Sequence, residues 1–130
     1  MSSAHTVVWI DHEQAHVIHF SAETHDEVTV RSSKRDGHLH HKSGAAGSGH
    51  AAENQGYYHA VAKVLKGAAM ILIAGPASAK NELAKHLEAH DKALSGRVAG
   101  VETLDHPSDG QLLAFARKYF DAADKMQAQK

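Results

Sequence analysis

The stretch AMILIA at residues 69–74, closed by Gly75-Pro76, decides how the rest of this chain is read. Six consecutive apolar residues bounded by turn formers are too few for a buried helix. They read as a strand covered on both faces, the pattern of a central strand in a sheet. Such a sheet needs helices on either side, and amphipathic stretches flank the run. Residues 51–66 place Tyr58, Val61, Ala62 and Leu65 at i, i+3, i+4 and i+7, and Gly67 closes that helix. Residues 78–90 carry Leu83, Leu87 and His90 on one stripe, Gly96 ends the connection, and residues 97–104 (RVAGVETL) supply a further strand. Ser108 with Gln111 three residues later is a capping-box signature. It opens a last helix whose stripe is Leu112, Leu113, Ala116, Tyr119, Phe120 and Ala123, with residues 125–130 expected to fray.

Working back from the run, residues 6–10 (TVVWI) form a second strand apolar on both faces. Asp11-His12-Glu13 reads as a turn, and Trp9, His16 and His19 as packing or edge residues. Residues 14–20 (QAHVIHF) put Ala15 and Val17 on one face and Ile18 and Phe20 on the other. Residues 26–31 (DEVTVR) alternate, with Val28 and Val30 pointing one way. Three strands joined by short polar turns predict an antiparallel meander. The whole order is β-β-β-α-β-α-β-α. It predicts an α/β, three-layer domain around a five-stranded mixed sheet, with parallel right-handed crossovers in the second half. That order resembles a ribonuclease-H-like domain.

The 130 residues suit a single domain spanning 1–130. Cysteine is absent, which excludes disulfides, thiolate metal centres and cysteine nucleophiles and suits a reducing cytoplasm. No apolar run approaches the roughly 20 residues of a membrane helix. The N-terminal residues also lack the basic-then-apolar order of a secretory signal. A cytoplasmic protein without a membrane partner is therefore expected.

The net charge of −1 conceals a segregation. Residues 1–30 carry Asp11, Glu13, Glu23, Asp26 and Glu27 and no Lys or Arg. Residues 31–50 carry Arg31, Lys34, Arg35 and Lys42 against Asp36 alone, and add His38, His40, His41 and His50. The 13 histidines would add roughly +6 at pH 6.5. Residues 32–50 break every apolar period and are rich in glycine and small residues, so a long mobile loop is expected there. A basic, His-rich loop is the first place to look for an anionic partner.

The second half also carries a family resemblance. Residues 71–75 (ILIAG), followed by Ala77, Ser78, Lys80, Asn81, Glu82 and Leu83, are similar to the strand–Gly–helix segment of the middle domain of archaeo-eukaryotic class 1 release factors and Pelota. Arg97-Val98, Val101-Glu102-Thr103 and Gly110-Gln111 continue the likeness, which covers roughly residues 5–120. The chain resembles the stand-alone bacterial relatives of that domain described as translational machinery proteins. The resemblance implies a translation-linked role with contact to the ribosome or tRNA. Release factors of this family carry Gly-Gly-Gln at the loop tip, where the Gln orients water for peptidyl-tRNA hydrolysis. Here residues 44–50 read GAAGSGH, and Gln55-Gly56 lies beyond them in the wrong order. Peptide release therefore does not carry over.

Three chemistries compete for the remaining polar residues. In the first, Arg31, Lys34, Arg35 and Lys42 meet phosphates, glycines admit a sugar-phosphate backbone, and Tyr57 stacks on a base while Tyr58 joins the core. In the second, Asp11 at the end of the first strand, aided by Glu53, anchors a metal-dependent nuclease; the central strand at 69–74 adds no carboxylate to that set. A hairpin turn explains Asp-His-Glu more simply. In the third, His38, His40, His41 and His50 form a pH- or metal-responsive module. That spacing matches no metal motif, and ordering a Gly-rich loop around an ion costs entropy. The expectation is a non-catalytic, RNA-facing factor with no cofactor and no resident metal, acting on stalled or idle ribosomes.

Overall fold

The computed structural model describes residues 5–21, 23–32 and 46–128, with the side chains of 46–54 and 123–128 outside that description. At the centre stands β1 (His5–Ile10), whose side chains alternate between two buried surfaces. Val8 and Ile10 face one way, Val7 and Trp9 the other. β2 (Gln14–Phe20) pairs antiparallel with β1, and β3 (His25–Arg31) antiparallel with β2. β4 (Met70–Gly75) and β5 (Val98–Thr103) extend the other side in parallel, giving the order β3-β2-β1-β4-β5. The sequence predicts this five-stranded mixed α/β sheet, and the structure has it.

Two apolar clusters sandwich the sheet. Ile71 and Ile73 pack with Val8, Val17, Tyr58, Val61, Leu65, Leu83 and Leu87 on the face covered by α1 (Ala46–Leu65) and α2 (Ala79–His90). Short α3 (Lys92–Ser95) adds Leu94 to that cluster. Leu72 and Ala74 pack with Trp9, Ile18, Phe20, Leu112, Ala116 and Phe120 under α4 (Asp109–Ala128) on the opposite face. Trp9 closes this second layer by donating its indole N–H to the Asp105 carbonyl at 2.8 Å.

Local chemistry sets the ends. The backbone N–H of Ser108 donates to Gln111 Oε1 at 3.0 Å, and that of Gln111 to Ser108 Oγ at 3.1 Å, the reciprocal capping box read from the sequence. Gly67 adopts φ of 89° just after α1, a conformation that side chains resist. At Gly75 a Cβ would stand 2.2 Å from the Ile10 carbonyl oxygen, so the β1–β4 contact requires glycine there.

Several boundaries differ from expectation. α1 starts at Ala46, five residues before the apolar period begins, because residues 46–50 are small and carry no stripe to read. α4 continues through Ala128, past the point where fraying is expected. α3 was hidden by its length; Asp91 opens it by accepting the N–H of Leu94. β3 is an edge strand, exposed along most of its length, and Val28 is 39% exposed while Val30 packs on the core. On α2, His86 is buried and His90 exposed, the reverse of the stripe drawn through Leu83 and Leu87.

Candidate nucleic-acid interface

The hairpin between β1 and β2 organises the end of the sheet from which the basic segment departs. Asp11 Oδ1 accepts the backbone N–H of Glu13 at 2.8 Å and of Gln14 at 2.9 Å. The Asp11 N–H in turn donates to the Gln14 carbonyl. This is an Asx turn, the simpler explanation of Asp11. Among the described residues no three His, Asp or Glu side chains stand close enough to hold a metal ion.

β3 ends beside that turn. The Ser32 N–H donates to the Glu13 carbonyl at 2.8 Å, and the exposed Arg31 guanidinium donates to Gln14 Oε1 at 3.2 Å. Arg31 therefore projects at the sheet end where the basic segment begins. Lys34, Arg35, Lys42, His38, His40 and His41 lie outside the described residues, as do the side chains of His50 and Glu53.

The chain re-enters through α1. Tyr57 meets the same hairpin: its hydroxyl donates to the Asp11 carbonyl at 2.9 Å. The residues of α1 ahead of it, 46–56, make about 16 Å of helix at 1.5 Å per residue. Arg31 and Ser32 at the start of the basic segment, and Tyr57 seven residues past its end, both meet the β1–β2 turn.

Tyr57 itself corrects an expectation. It is 3% exposed, with its ring 5.3 Å from that of Tyr58, so it cannot offer a face to a base. Burial, reinforced by the nearby Asp11 carboxylate, holds its phenol far above the ordinary tyrosine range. Tyr58 is buried as expected and donates its hydroxyl to Glu82 Oε1 at 2.6 Å; burial and that bond raise its phenol too. A helix lying on a sheet buries a stripe wider than one i, i+3, i+4 series, which takes in both tyrosines.

The sequence reading passes over a second group of basic side chains on the same helix pair. His59 of α1 faces His86 and His90 of α2 across a cleft that also holds Lys63 and Lys66. The signal available was the i, i+4 spacing of His86 and His90; nothing in the sequence shows which helix they face.

No protein-family model matches the sequence, and no curated protein is similar to it. Solved structures do share its fold. Pelota of Thermoplasma acidophilum superposes with a TM-score of 0.62 at 20% identity, over 88% of this chain and 32% of that one. An archaeal translation termination factor, aRF1, gives 0.56 at 15% identity, over 96% of this chain and 39% of that one. Dom34 of S. cerevisiae, a translation termination-like factor involved in RNA quality control pathways, gives 0.50 at 14% identity, over 77% and 29%. The chain spans between 29% and 39% of the length of these proteins. At such identities the likeness is one of fold: this chain has the architecture of a segment found in Pelota and in an archaeal termination factor.

Proposed function

We propose that this chain is a non-catalytic translation-associated factor, a relative of the release-factor and Pelota middle domain, that docks on the ribosome or tRNA without releasing peptide. The observation that carries the reading is the fold, which matches Pelota and an archaeal translation termination factor over most of the chain's length. The charge distribution supports it. Four Lys and Arg residues follow an acidic N-terminal stretch and lead from the exposed Arg31 into α1. Arg31, Lys34, Arg35 and Lys42 meet phosphates, and the neighbouring histidines add charge as pH falls. The missing Gly-Gly-Gln removes the glutamine that would orient a hydrolytic water. The factor acts on stalled or idle ribosomes, in the cytoplasm. Among the described residues no helix is long and apolar enough to cross a membrane.

Co-sedimentation with ribosomes at graded salt tests this. Binding should weaken steeply, with a log–log slope of about −0.7 per single-strand phosphate neutralised. Changing Arg31, Lys34, Arg35 and Lys42 together to Ala should lower affinity and flatten the slope while leaving the melting temperature in place. Lower pH should tighten binding, and no peptidyl-tRNA hydrolysis should accompany it. Salt-insensitive association that survives the fourfold change, or none at low salt, would sink the reading.

A further inference from the structure

His86 sits at the seam of α1 and α2 with 7% of its surface exposed. Its Nδ1 lies 2.7 Å from Gln55 Oε1, and since an amide oxygen only accepts, Nδ1 carries the hydrogen. Among the described residues the other ring nitrogen, Nε2, is buried and has no hydrogen-bond partner. An unpaired polar atom in that position costs stability that a ligand atom would restore. The His90 ring lies 4.6 Å away and the His59 ring 6.4 Å away.

Beside this ring opens a cleft of about 670 Å³, lined by Gly56, His59, Lys63, Lys66 and His90. On its other side a cleft of about 510 Å³ adds Tyr58, Glu82 and Lys85. The two acids facing the ring are already engaged. Glu82 accepts the Tyr58 hydroxyl, while Asp91 pairs with Lys66 at 3.3 Å and caps the Leu94 N–H. Lys63 and Lys85 are exposed with no ion-pair partner among the described residues. Lysines repel a cation, so the clefts suit an anion. Gly56 adds a steric argument. It interrupts a 20-residue helix, yet a Cβ there would meet nothing within 4 Å, so packing does not demand glycine. Its bare backbone leaves the cleft wall open to a bulky tetrahedral group.

We propose that this cleft binds a phosphate group, held by Lys63, His59, His90 and the Nε2–H of His86, which takes up its proton as the anion enters. Burial first, then the neighbouring His90 and His59, hold the His86 imidazole below its ordinary pKa, with Asp91 opposing them. The empty cleft therefore keeps a neutral ring whose Nε2 presents a lone pair. A phosphate oxygen needs a donor there, so anion and proton arrive together, beside the exposed His90 ring. The phosphate can belong to an RNA backbone or be free in solution.

The test is NMR titration of the full chain at pH 7.5 and pH 6 with inorganic phosphate and, separately, with a hexauridylate. Phosphate should bind several-fold more tightly at the lower pH, and the His86 resonances should titrate at higher pH once the site is filled. His86→Gln should remove the His86 share of that pH dependence and so lower it measurably. Lys63→Glu, at an exposed position that keeps the fold, should weaken phosphate about tenfold. The fourfold Ala variant of the basic segment should keep phosphate binding, which separates this site from ribosome docking. In that variant, displacement of phosphate by the hexauridylate identifies an RNA backbone as the source. Phosphate binding without displacement identifies free phosphate. Affinity independent of pH, or unaltered by Lys63→Glu, overturns the proposal.

Discussion

Replacing Tyr57 by Ala removes a side chain that is 3% exposed, packs 5.3 Å from Tyr58 and bonds the Asp11 carbonyl through its hydroxyl at 2.9 Å. Truncating a buried aromatic to Ala costs about 3–5 kcal/mol, transfer and cavity together. The hydroxyl's share, as one net hydrogen bond, is about 0.5–1.5 kcal/mol. Tyr57→Phe keeps the ring and isolates that share. Measured against a whole-domain stability of roughly 5–15 kcal/mol, the Ala variant loses a large fraction and Phe a small one. Urea unfolding reads both. Ribosome co-sedimentation of Tyr57→Phe at low salt should match the parent, because the phenol is turned onto the hairpin and away from solvent. The reasoning is refuted if Tyr57→Ala unfolds within about 1 kcal/mol of the parent yet loses ribosome binding. That result would return Tyr57 to a base-stacking role.

Ile73→Ala, at a fully buried position between Val8 of β1 and Val101 of β5, should cost about 2–5 kcal/mol in the same assay. Val28→Ala on the exposed edge strand should cost under about 0.5 kcal/mol, and equal losses at the two sites would contradict the sheet order. Gly56→Ala should raise stability by roughly 0.5–1 kcal/mol, since a Cβ there meets open space; a loss would mean the helix is not regular at that point. Stability should also fall as pH drops below about 6.5, because the unfolded chain then takes up a proton that the folded state denies to His86. Above that pH both states hold the ring neutral and the contribution is constant. His86→Gln should remove up to about 1.4 kcal/mol per pH unit from the acid-side slope measured by melting curves, and an unchanged slope would show the ring titrates normally.

The fold was legible wherever one short-range pattern sufficed. The run at 69–74 is apolar on both faces because β4 is covered on both faces, and Ser108 and Gln111 cap α4 across three residues. The site was less legible because its geometry depends on partners distant in sequence. Tyr57 and Tyr58 both read as aromatic residues near a helix start; the Asp11 carbonyl, 46 residues away, draws the first inward. His86 and His90 lie on one helix face, and the position of α1, through Gln55 and His59, buries one and exposes the other. The start of α1 escaped notice because a small-residue stretch carries no amphipathic period.

The two sides of β1 are joined on very different terms. Towards β2 it pairs His5 with Phe20, a separation of 15 residues; towards β4 it pairs His5 with Met70, a separation of 65. Loop-closure entropy grows as (3/2)RT ln n, so the second pairing costs only about 1.3 kcal/mol more than the first, though it must wait for far more chain to be gathered. The shorter closure favours the meander as the earlier step of folding, with β1 as the template on which β4 aligns. The same logarithm governs what the connection between β3 and α1 can become. A dozen extra residues there would lengthen the 65-residue closure to 77 and raise its cost by about 0.15 kcal/mol. Selection can thus lengthen, shorten or recharge that connection with little effect on stability, so its length and charge can change almost independently of the sheet that carries it.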